Sequence, residues 1–355
     1  MEALPHPREA GDLVGHGDVE RMLAGAWHSG RLAHAWLFGG PPGVGKTTLA
    51  YRFARFVLAA GAGGPEVPTT PTTLAVPETA PVFRQVAAGS HPDLLGIERP
   101  VDPKLGRRTG DLPVDQVRRI APFLRLTASG GGWRVVVVDE ADHMNRSSAN
   151  AILKILEEPP QRSVLVLVTD QPGSLLPTIR SRCRRLMLSP LAQADVEAFL
   201  AARLADQGTD ELSVAARLSG GAPGRALLMA ASGAPAVYAG LLDCVGQAPD
   251  LDWTAVHALG DQVGGPGAEA LFRQVGDLMV GIMERLVRLA ATGQVARPVI
   301  PGEEARLRAL AASGDLDHWL QVWENTRRLF RRADQANLDR KQALLSAFGQ
   351  LQAVI

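Results

Sequence analysis

The sequence has few cysteines and no long apolar run. Cys183 and Cys244 are the only cysteines among 355 residues, which excludes a disulfide framework and a multi-cysteine zinc site. We therefore expect a reducing compartment and no bound zinc. No apolar stretch reaches the ~18 residues that a membrane span needs. The first residues lack the charged and apolar segments of a signal peptide, so we expect a cytoplasmic protein that does not contact a membrane.

An excess of charge of either sign is also missing. Lys and Arg together number 37, as do Asp and Glu, so the net charge is zero. A chain that gripped nucleic acid over much of its surface would normally be basic, so any such contact is local or shared with partner chains. Apolar residues make up 46% of the sequence, which is typical of a globular protein. The length predicts two or three domains.

Three short apolar runs predict strands of a parallel sheet. They are residues 33–40 (AHAWLFGG), 133–140 (WRVVVVDE) and 163–170 (SVLVLVTD). Runs that are apolar on both faces belong in the middle of a parallel sheet covered by helices. Helical patterns follow the first run, from Lys46 to about Ala59, and separate the other two, at 146–160. This alternation predicts an α/β fold with a doubly wound sheet.

Outside these runs the pattern changes. Residues 61–81 are rich in Gly, Pro and Thr, which predicts a flexible excursion outside the sheet. Beyond Pro190 the strand pattern ends and helical patterns follow. The longer helical stripes carry Leu271, Met279, Leu286, Trp319, Trp323 and Phe330. We predict a P-loop nucleotide-binding α/β domain at 1–190, a small helical lid domain at 191–233 and an all-α domain at 234–355.

The strongest motif is GPPGVGKT, from Gly40 to Thr47, which matches the P-loop pattern in full. It follows a predicted strand and opens a helix, as the pattern requires. Glycines let backbone N–H groups converge on phosphates, and the helix N-terminus adds a positive field. Lys46 can reach the phosphates of ATP or ADP, and the Thr47 hydroxyl can ligate Mg²⁺. We assign nucleotide binding to Gly40, Pro41, Pro42, Gly43, Val44, Gly45, Lys46, Thr47 and Thr48.

Two acidic residues end the second predicted strand. Asp139 and Glu140 would lie at the carboxyl edge of the sheet, where ligands of open α/β folds bind. Asp139 can hold Mg²⁺ through water, and Glu140 can polarise the attacking water. Alone, an acidic strand end is a weak signal, because carboxylates there are often just solvated. Downstream of a complete P-loop, the pair predicts a nucleotide-hydrolysis site.

Several segments resemble the clamp-loader branch of the AAA+ ATPases. The resemblance spans nearly the whole chain, although it is looser between 235 and 335. TIRSRC (178–183) resembles the arginine-finger motif of this branch. Two further segments favour the stator type of subunit over the gamma/tau motor. These two are SHPDLLGIE (90–98) and LPVDQVRRI (112–120); the remaining similar segments are LVGHGDV (13–19), GRLAHAWLFGGPPGVGKTT (30–48) and NLDRKQALL (337–345).

The resemblance implies roles for three further residues. Arg182 would enter a neighbouring subunit's nucleotide site in trans; otherwise it is a surface ion-pair residue. Thr169 takes the sensor position that hydrogen-bonds the γ-phosphate or water, or is a strand-edge threonine without a catalytic role. Arg225 stands near the sensor-2 arginine of motor subunits but is displaced by one residue, about 100° on a helix. The four-cysteine zinc module common in these subunits is missing from 61–90.

The resemblance also implies partners. Clamp loaders are open rings of five AAA+ subunits held by a C-terminal helical collar, which would be residues 234–355 here. The implied partners are gamma/tau motor subunits, a delta subunit, the sliding clamp and, through the assembled complex, primed DNA. ATP binding would order the ring, and hydrolysis would release the clamp. Two alternatives remain: an autonomous gamma-type motor that hydrolyses ATP alone, and an assembly scaffold that holds no nucleotide.

Overall fold

The computed structural model describes residues 6–63, 72–101, 108–129, 132–294, 297–336 and 338–352. The chain divides into two units. The first comprises Met1–Ala205 and Ser219–Leu228, and the second Asp206–Leu218 and Met229–Ile355. The predicted lid segment, 191–233, is thus shared between the two units, and the predicted domain limits at 190 and 233 stay predictions.

A five-stranded sheet forms the centre of the first unit. Its strands are β1 (Ala35–Gly39), β2 (Leu94–Ile97), β3 (Arg134–Val138), β4 (Ser163–Thr169) and β5 (Arg184–Met187). They are all parallel, in the order β2-β3-β4-β1-β5. The three predicted apolar runs are the three central strands, in which every residue is buried. The edge strands β2 and β5 are partly exposed and only four residues long, so they give a weaker apolar pattern than the central strands.

Helices cover both faces of this sheet. Along β1, Trp36 and Phe38 point into one apolar core, and Leu37 points into the other. The first core includes residues of α1 (Gly17–His28), α2 (Lys46–Gly61) and α3 (Pro81–Ala87). The second includes residues of α4 (Val114–Arg118), α5 (Ile120–Arg125), α6 (Arg146–Glu157) and α7 (Pro177–Arg180). This arrangement confirms the predicted doubly wound α/β class.

The segment predicted as a flexible excursion, 61–81, departs in part from that prediction. Residues 64–71 lie outside the described residues. From 72 to 80 the chain has no helix or strand, yet Leu74, Val76 and Ala80 are buried in the first core. Apolar side chains spaced along an irregular segment can anchor it to a core even where Gly, Pro and Thr dominate the composition.

Beyond β5, the regular secondary structure of the described chain is entirely helical. They are α8 (Gln193–Arg203), α9 (Thr209–Leu218), α10 (Pro223–Ala231), α11 (Ala234–Val245), α12 (Trp253–Gly264), α13 (Glu269–Thr292), α14 (Glu303–Ser313), α15 (Leu316–Gln335) and α16 (Arg340–Gln352). In the second unit, α13 packs against α11, α12, α14 and α15. The Phe272 and Phe330 rings lie 5.3 Å apart between α13 and α15. Most of the predicted apolar stripe is core: Met279, Leu286, Trp319 and Phe330 are buried.

Within the described residues, no single helix is long and apolar enough to cross a membrane. One bent pair, Pro223–Ala231 with Ala234–Val245, reaches the necessary length and composition when the two helices are taken together.

Candidate functional site

A cavity of about 730 Å³ lies in the first unit, at the carboxyl ends of β3 and β4. Its polar wall comes from the loop between β1 and α2 and from the residues that end the two strands. Its apolar wall includes Leu13, Phe199, Leu227 and Leu228. Ligands of open parallel sheets bind at this edge, and the volume is that of an ordinary small-molecule site.

The P-loop joins β1 to α2 at one side of the cavity. Its glycines adopt positive φ, with values of 148° at Gly40, 76° at Gly43 and 109° at Gly45. A Cβ atom on Gly43 would lie only 2.7 Å from the backbone nitrogen of Arg225, so a larger residue would displace the loop. Residues 43–48 of the predicted set line the cavity, whereas Gly40, Pro41 and Pro42 do not.

The ammonium group of Lys46 is held by two oxygen atoms. Its Nζ lies 2.6 Å from the carbonyl oxygen of Pro41 and 2.6 Å from Oδ1 of Asp170. Lys46 is buried, while Asp170 is partly exposed. The sequence motifs assign Asp170 no role, although it directly follows β4, where functional residues of parallel sheets gather.

Thr47 and Asp139 come together as predicted. The Thr47 hydroxyl donates a hydrogen bond of 3.0 Å to Oδ1 of Asp139. Burial raises the pKa of Asp139 to about 6, although the Thr47 hydrogen bond acts in the opposite direction. A hydroxyl and a carboxylate side by side are the hard oxygen donors that Mg²⁺ prefers, so these residues fit a cation bound with a nucleotide.

No group of three or more His, Cys, Asp or Glu side chains among the described residues could hold a metal ion. The pair of oxygen donors from Thr47 and Asp139 would therefore need further ligands from water and phosphate. The predicted absence of zinc stays a prediction.

Glu140 lines the cavity but is not free. Its backbone has a positive φ of 51°, and its carboxylate accepts hydrogen bonds from Arg99 through Nε (2.8 Å) and Nη2 (2.5 Å). Arg108 lies 3.2 Å from the same carboxylate. Burial alone would raise the pKa of Glu140, but the hydrogen bonds and charge of Arg99 outweigh it and lower the pKa. Two guanidinium groups therefore hold the carboxylate predicted to polarise water.

Thr169 reaches the cavity at the end of β4. It is buried, and its hydroxyl oxygen accepts a 3.0 Å hydrogen bond from the backbone N–H of Gln171. Among the described residues this hydroxyl donates no hydrogen bond, so its position fits both the predicted sensor role and the plain strand-edge alternative.

Both predicted arginines also lie outside the cavity lining. Arg182, between α7 and β5, donates to the carbonyl of Thr178 (3.0 Å) and pairs with Glu157 (2.8 Å). The Arg225 side chain is exposed on α10, while its backbone nitrogen packs against Gly43. The cavity is therefore built from the P-loop and strand ends without either arginine.

A second carboxylate network near the cavity was not predicted. Glu98, which follows β2, contacts His6 (2.8 Å), Arg108 (3.3 Å) and the Tyr51 hydroxyl (3.2 Å). The hydrogen bond from His6 is the largest influence that lowers the pKa of Glu98, to about 2. Only the position of Glu98 just after a strand could have indicated this network, since its partners come from distant segments.

The parallel sheet and the glycine-rich loop facing two acidic strand ends define a P-loop α/β domain. Residues 15–192, half of the chain, match the family described as "DNA polymerase III, delta subunit". The chain belongs to this family.

Two similar curated proteins carry the name DNA polymerase III subunit delta'. The protein from Pseudomonas aeruginosa PAO1 is 39% identical over 54% of this chain and 54% of its own length. The protein from Escherichia coli K12 is 34% identical over 60% of this chain and 58% of its own length. The chain thus matches little more than half the length of each. Other relatives are named gamma and tau subunits, at 29% and 32% identity for two of them.

The solved structures that match this chain include a DNA polymerase III gamma subunit-related protein from Thermotoga maritima. It is 17% identical, with a TM-score of 0.41, over 96% of this chain and 99% of that one.

Proposed function

We propose that this chain is a delta-prime-type subunit of a bacterial clamp loader. In this role it binds ATP or ADP with Mg²⁺ and supplies Arg182 to the nucleotide site of a neighbouring subunit. One observation carries the proposal: a member of the DNA polymerase III delta-subunit family combines a complete P-loop cavity with a finger-motif arginine that stays outside that cavity.

The cavity supports nucleotide binding by this chain's own residues. The backbone N–H groups of the P-loop and the start of α2 would hold phosphate. Lys46 would leave Asp170 for a phosphate oxygen, because the phosphates of a nucleotide carry more negative charge than one carboxylate. Thr47 and Asp139 would hold Mg²⁺, whose role is to neutralise phosphate charge. The apolar wall, which includes Phe199, suits the flat face of a base.

The geometry of the same cavity also supports the proposal that the isolated chain hydrolyses ATP only weakly. A general base must reach the attacking water, yet the carboxylate of Glu140 is occupied by Arg99 and Arg108. The exposed Arg225 side chain adds no cation to the lining. Both features favour a nucleotide-binding stator over an autonomous gamma-type motor.

Arg182 is suited to act on another subunit. Its side chain is 36% exposed, and its partner Glu157 is 52% exposed. An ion pair this exposed contributes little to stability, so the guanidinium can leave Glu157 for a more concentrated negative charge. A γ-phosphate in a neighbouring site offers that charge, and a guanidinium fork matches its geometry.

Within a clamp loader, the proposed partners are gamma/tau motor subunits, a delta subunit and the sliding clamp in the cytoplasm. Primed DNA would be reached through the assembled complex. The helices of the second unit would provide the collar that holds the ring. The gamma and tau names of several relatives support membership of such a complex.

The decisive experiment reconstitutes the clamp loader with Arg182→Ala and measures ATP hydrolysis together with clamp loading. We expect normal assembly, normal nucleotide binding by this subunit and a loss of about 10³–10⁵ in rate at the one site served. Total turnover would fall less, because the other motor sites keep their own arginines. Arg185→Ala, an exposed arginine on the adjoining strand, is the matched control. Unchanged loading by the Arg182 variant would reduce this residue to a surface ion pair.

A further inference from the structure

The exposed face of α15 carries four arginines. Arg327, Arg328, Arg331 and Arg332 are all exposed, and at about 100° per residue they span an arc of about 140°. The buried residues of the helix lie on the opposite side. Those buried residues are Trp319, Val322, Thr326, Phe330 and Ala333. The arginines therefore form one continuous ridge, named here the α15 ridge.

The ridge arginines differ from most basic side chains of their unit. Arg288, Arg306 and Arg308 are also exposed or partly exposed, and each pairs with a carboxylate at 3.0 Å or less. Within the described part of the chain, no ridge arginine forms such an ion pair. Glu324, one turn earlier on the same face of α15, is exposed and pairs with none of them. In a chain of zero net charge, these four arginines outnumber the carboxylates beside them, Glu324 and Asp334, and form a local concentration of positive charge.

An aromatic ring lies at one end of the ridge. The Arg327 guanidinium stacks over the Trp323 ring, 5.3 Å from its centroid. The half-buried ring holds that guanidinium close to the helix surface, since the contact is attractive. Ordering the arginine in advance lowers the entropy lost when it binds a ligand.

The chemistry of the ridge favours a polyanion over an acidic protein surface. Protein interfaces rely on apolar and aromatic anchors at their centre, yet none of the exposed large apolar side chains of the described chain lies on α15. Interfaces with nucleic acid are polar and strongly basic instead. The four arginines occupy about 7.5 Å of helix length, over which duplex DNA presents about four phosphate charges.

We infer that the α15 ridge binds the phosphate backbone of DNA without reading its sequence. This contact belongs to the helical unit and does not depend on nucleotide binding. Guanidinium groups donate to phosphate oxygens and release condensed counterions, which makes the affinity depend on salt. Backbone contacts of this kind position nucleic acid without distinguishing bases.

The test measures binding of the full chain to a fluorescein-labelled duplex and to labelled oligo(dT), each about 30 nucleotides long, between about 50 and 200 mM salt. We expect Arg327→Ala/Arg331→Ala to weaken duplex binding about tenfold at the lower salt. It should also reduce the slope of log K against log salt by about 1.8, which is 0.9 for each lost phosphate contact. Arg327→Lys/Arg331→Lys should keep the slope, because the positive charge remains. It should lose part of the affinity, because lysine lacks the paired N–H donors of the guanidinium group.

The control is Arg306→Ala/Arg308→Ala, which removes the same charge from paired side chains of α14. An equal loss in this control would overturn the inference, as would undetectable DNA binding by the unmutated chain at low salt. If the chain bound labelled polyglutamate as tightly as the duplex and lost that binding in the ridge variants, the result would assign the ridge to an acidic protein instead. Nucleotide affinity should be unchanged in every ridge variant, which separates this inference from the proposed nucleotide site.

Discussion

Each unit contains a prominent pair between a basic side chain and a carboxylate, and the two pairs are built differently. In the first unit, buried Lys46 meets Asp170, whose side chain is 42% exposed. In the second unit, Arg285 meets Glu303, whose side chain is 0% exposed. Glu303 also accepts hydrogen bonds from the Tyr238 hydroxyl and the backbone N–H of Val299.

The difference separates an exchangeable contact from a fixed one. An exposed carboxylate that leaves Lys46 is rehydrated at once, so a phosphate can replace it at little cost. A buried carboxylate that loses its partners has no water to replace them, and the desolvation penalty is then uncompensated. Similar chemistry would therefore serve the proposed ligand binding in one unit and folding in the other.

The largest effect on stability is expected from breaking the fixed pair. Glu303→Ala should lower the free energy of unfolding by about 3–5 kcal/mol, because it leaves buried partners unsatisfied. Urea denaturation of the full chain measures it. Glu304→Ala, the neighbouring residue in an exposed pair with Arg308, should cost about 0.3–0.5 kcal/mol. Equal costs for the two variants would erase the distinction between a buried, fixed pair and an exposed one.

The next largest effect concerns the exchangeable pair. Lys46→Ala should weaken binding of ATP and ADP by about 1.5–3 kcal/mol, the value of a hydrogen bond to a charged group. Calorimetric titration measures it, with Lys154→Ala on the exposed surface of α6 as the control. If the unmutated chain binds neither nucleotide, the assembly scaffold becomes the better hypothesis.

A smaller effect of opposite sign is expected from the other partner. Asp170→Asn should tighten nucleotide binding by up to about 1 kcal/mol, since an exposed ion pair of that order no longer competes for Lys46. The same titration measures it, and Asp115→Asn, an exposed carboxylate paired with Arg118, is the matched control. Weaker binding by Asp170→Asn would instead make this carboxylate a part of the ligand site.

The smallest effect is a change in pH dependence. The folded chain lowers the pKa of Glu98 from about 4.5 to about 2, so the contribution of Glu98 to stability is full above pH ~4.5 and is lost as the pH falls toward 2. His6→Ala removes the hydrogen bond that lowers this pKa most. The free energy of unfolding should therefore fall less steeply with decreasing pH between these two values. Acid titration of the unfolding free energy measures it. An unchanged slope would remove His6 from this role.

The central part of the fold could be predicted from the sequence because burial leaves a local signature there. β1, β3 and β4 are buried on both faces and read as continuous apolar runs. β2 and β5 contain exposed residues such as Gly96 and Arg185, so their composition does not separate them from loops. The burial of Leu74 also escaped prediction, because it depends on which surface the segment meets.

The candidate site was predictable where a motif fixes backbone geometry. The P-loop and the contact between Thr47 and Asp139 follow from a pattern within one strand–loop–helix unit and the end of β3, which β4 separates from β1 in the sheet. The pairing of Glu140 with Arg99 does not, since it joins the ends of two strands through side chains. Two arginines therefore contact this carboxylate, and the predicted role of Glu140 in polarising water stays a prediction.

One backbone contact carries a consequence for redesign of the chain. The Gly224 N–H at the start of α10 donates to the Gly43 carbonyl at 2.9 Å, and a Cβ on Gly224 would lie 3.1 Å from that same oxygen. Residues 43 and 224, which lie 181 positions apart in the sequence, are thus in close backbone contact, and a larger side chain at either position would disturb the other. A library that diversifies the start of α10 also varies the shape of the phosphate loop, so the two segments have to be selected together.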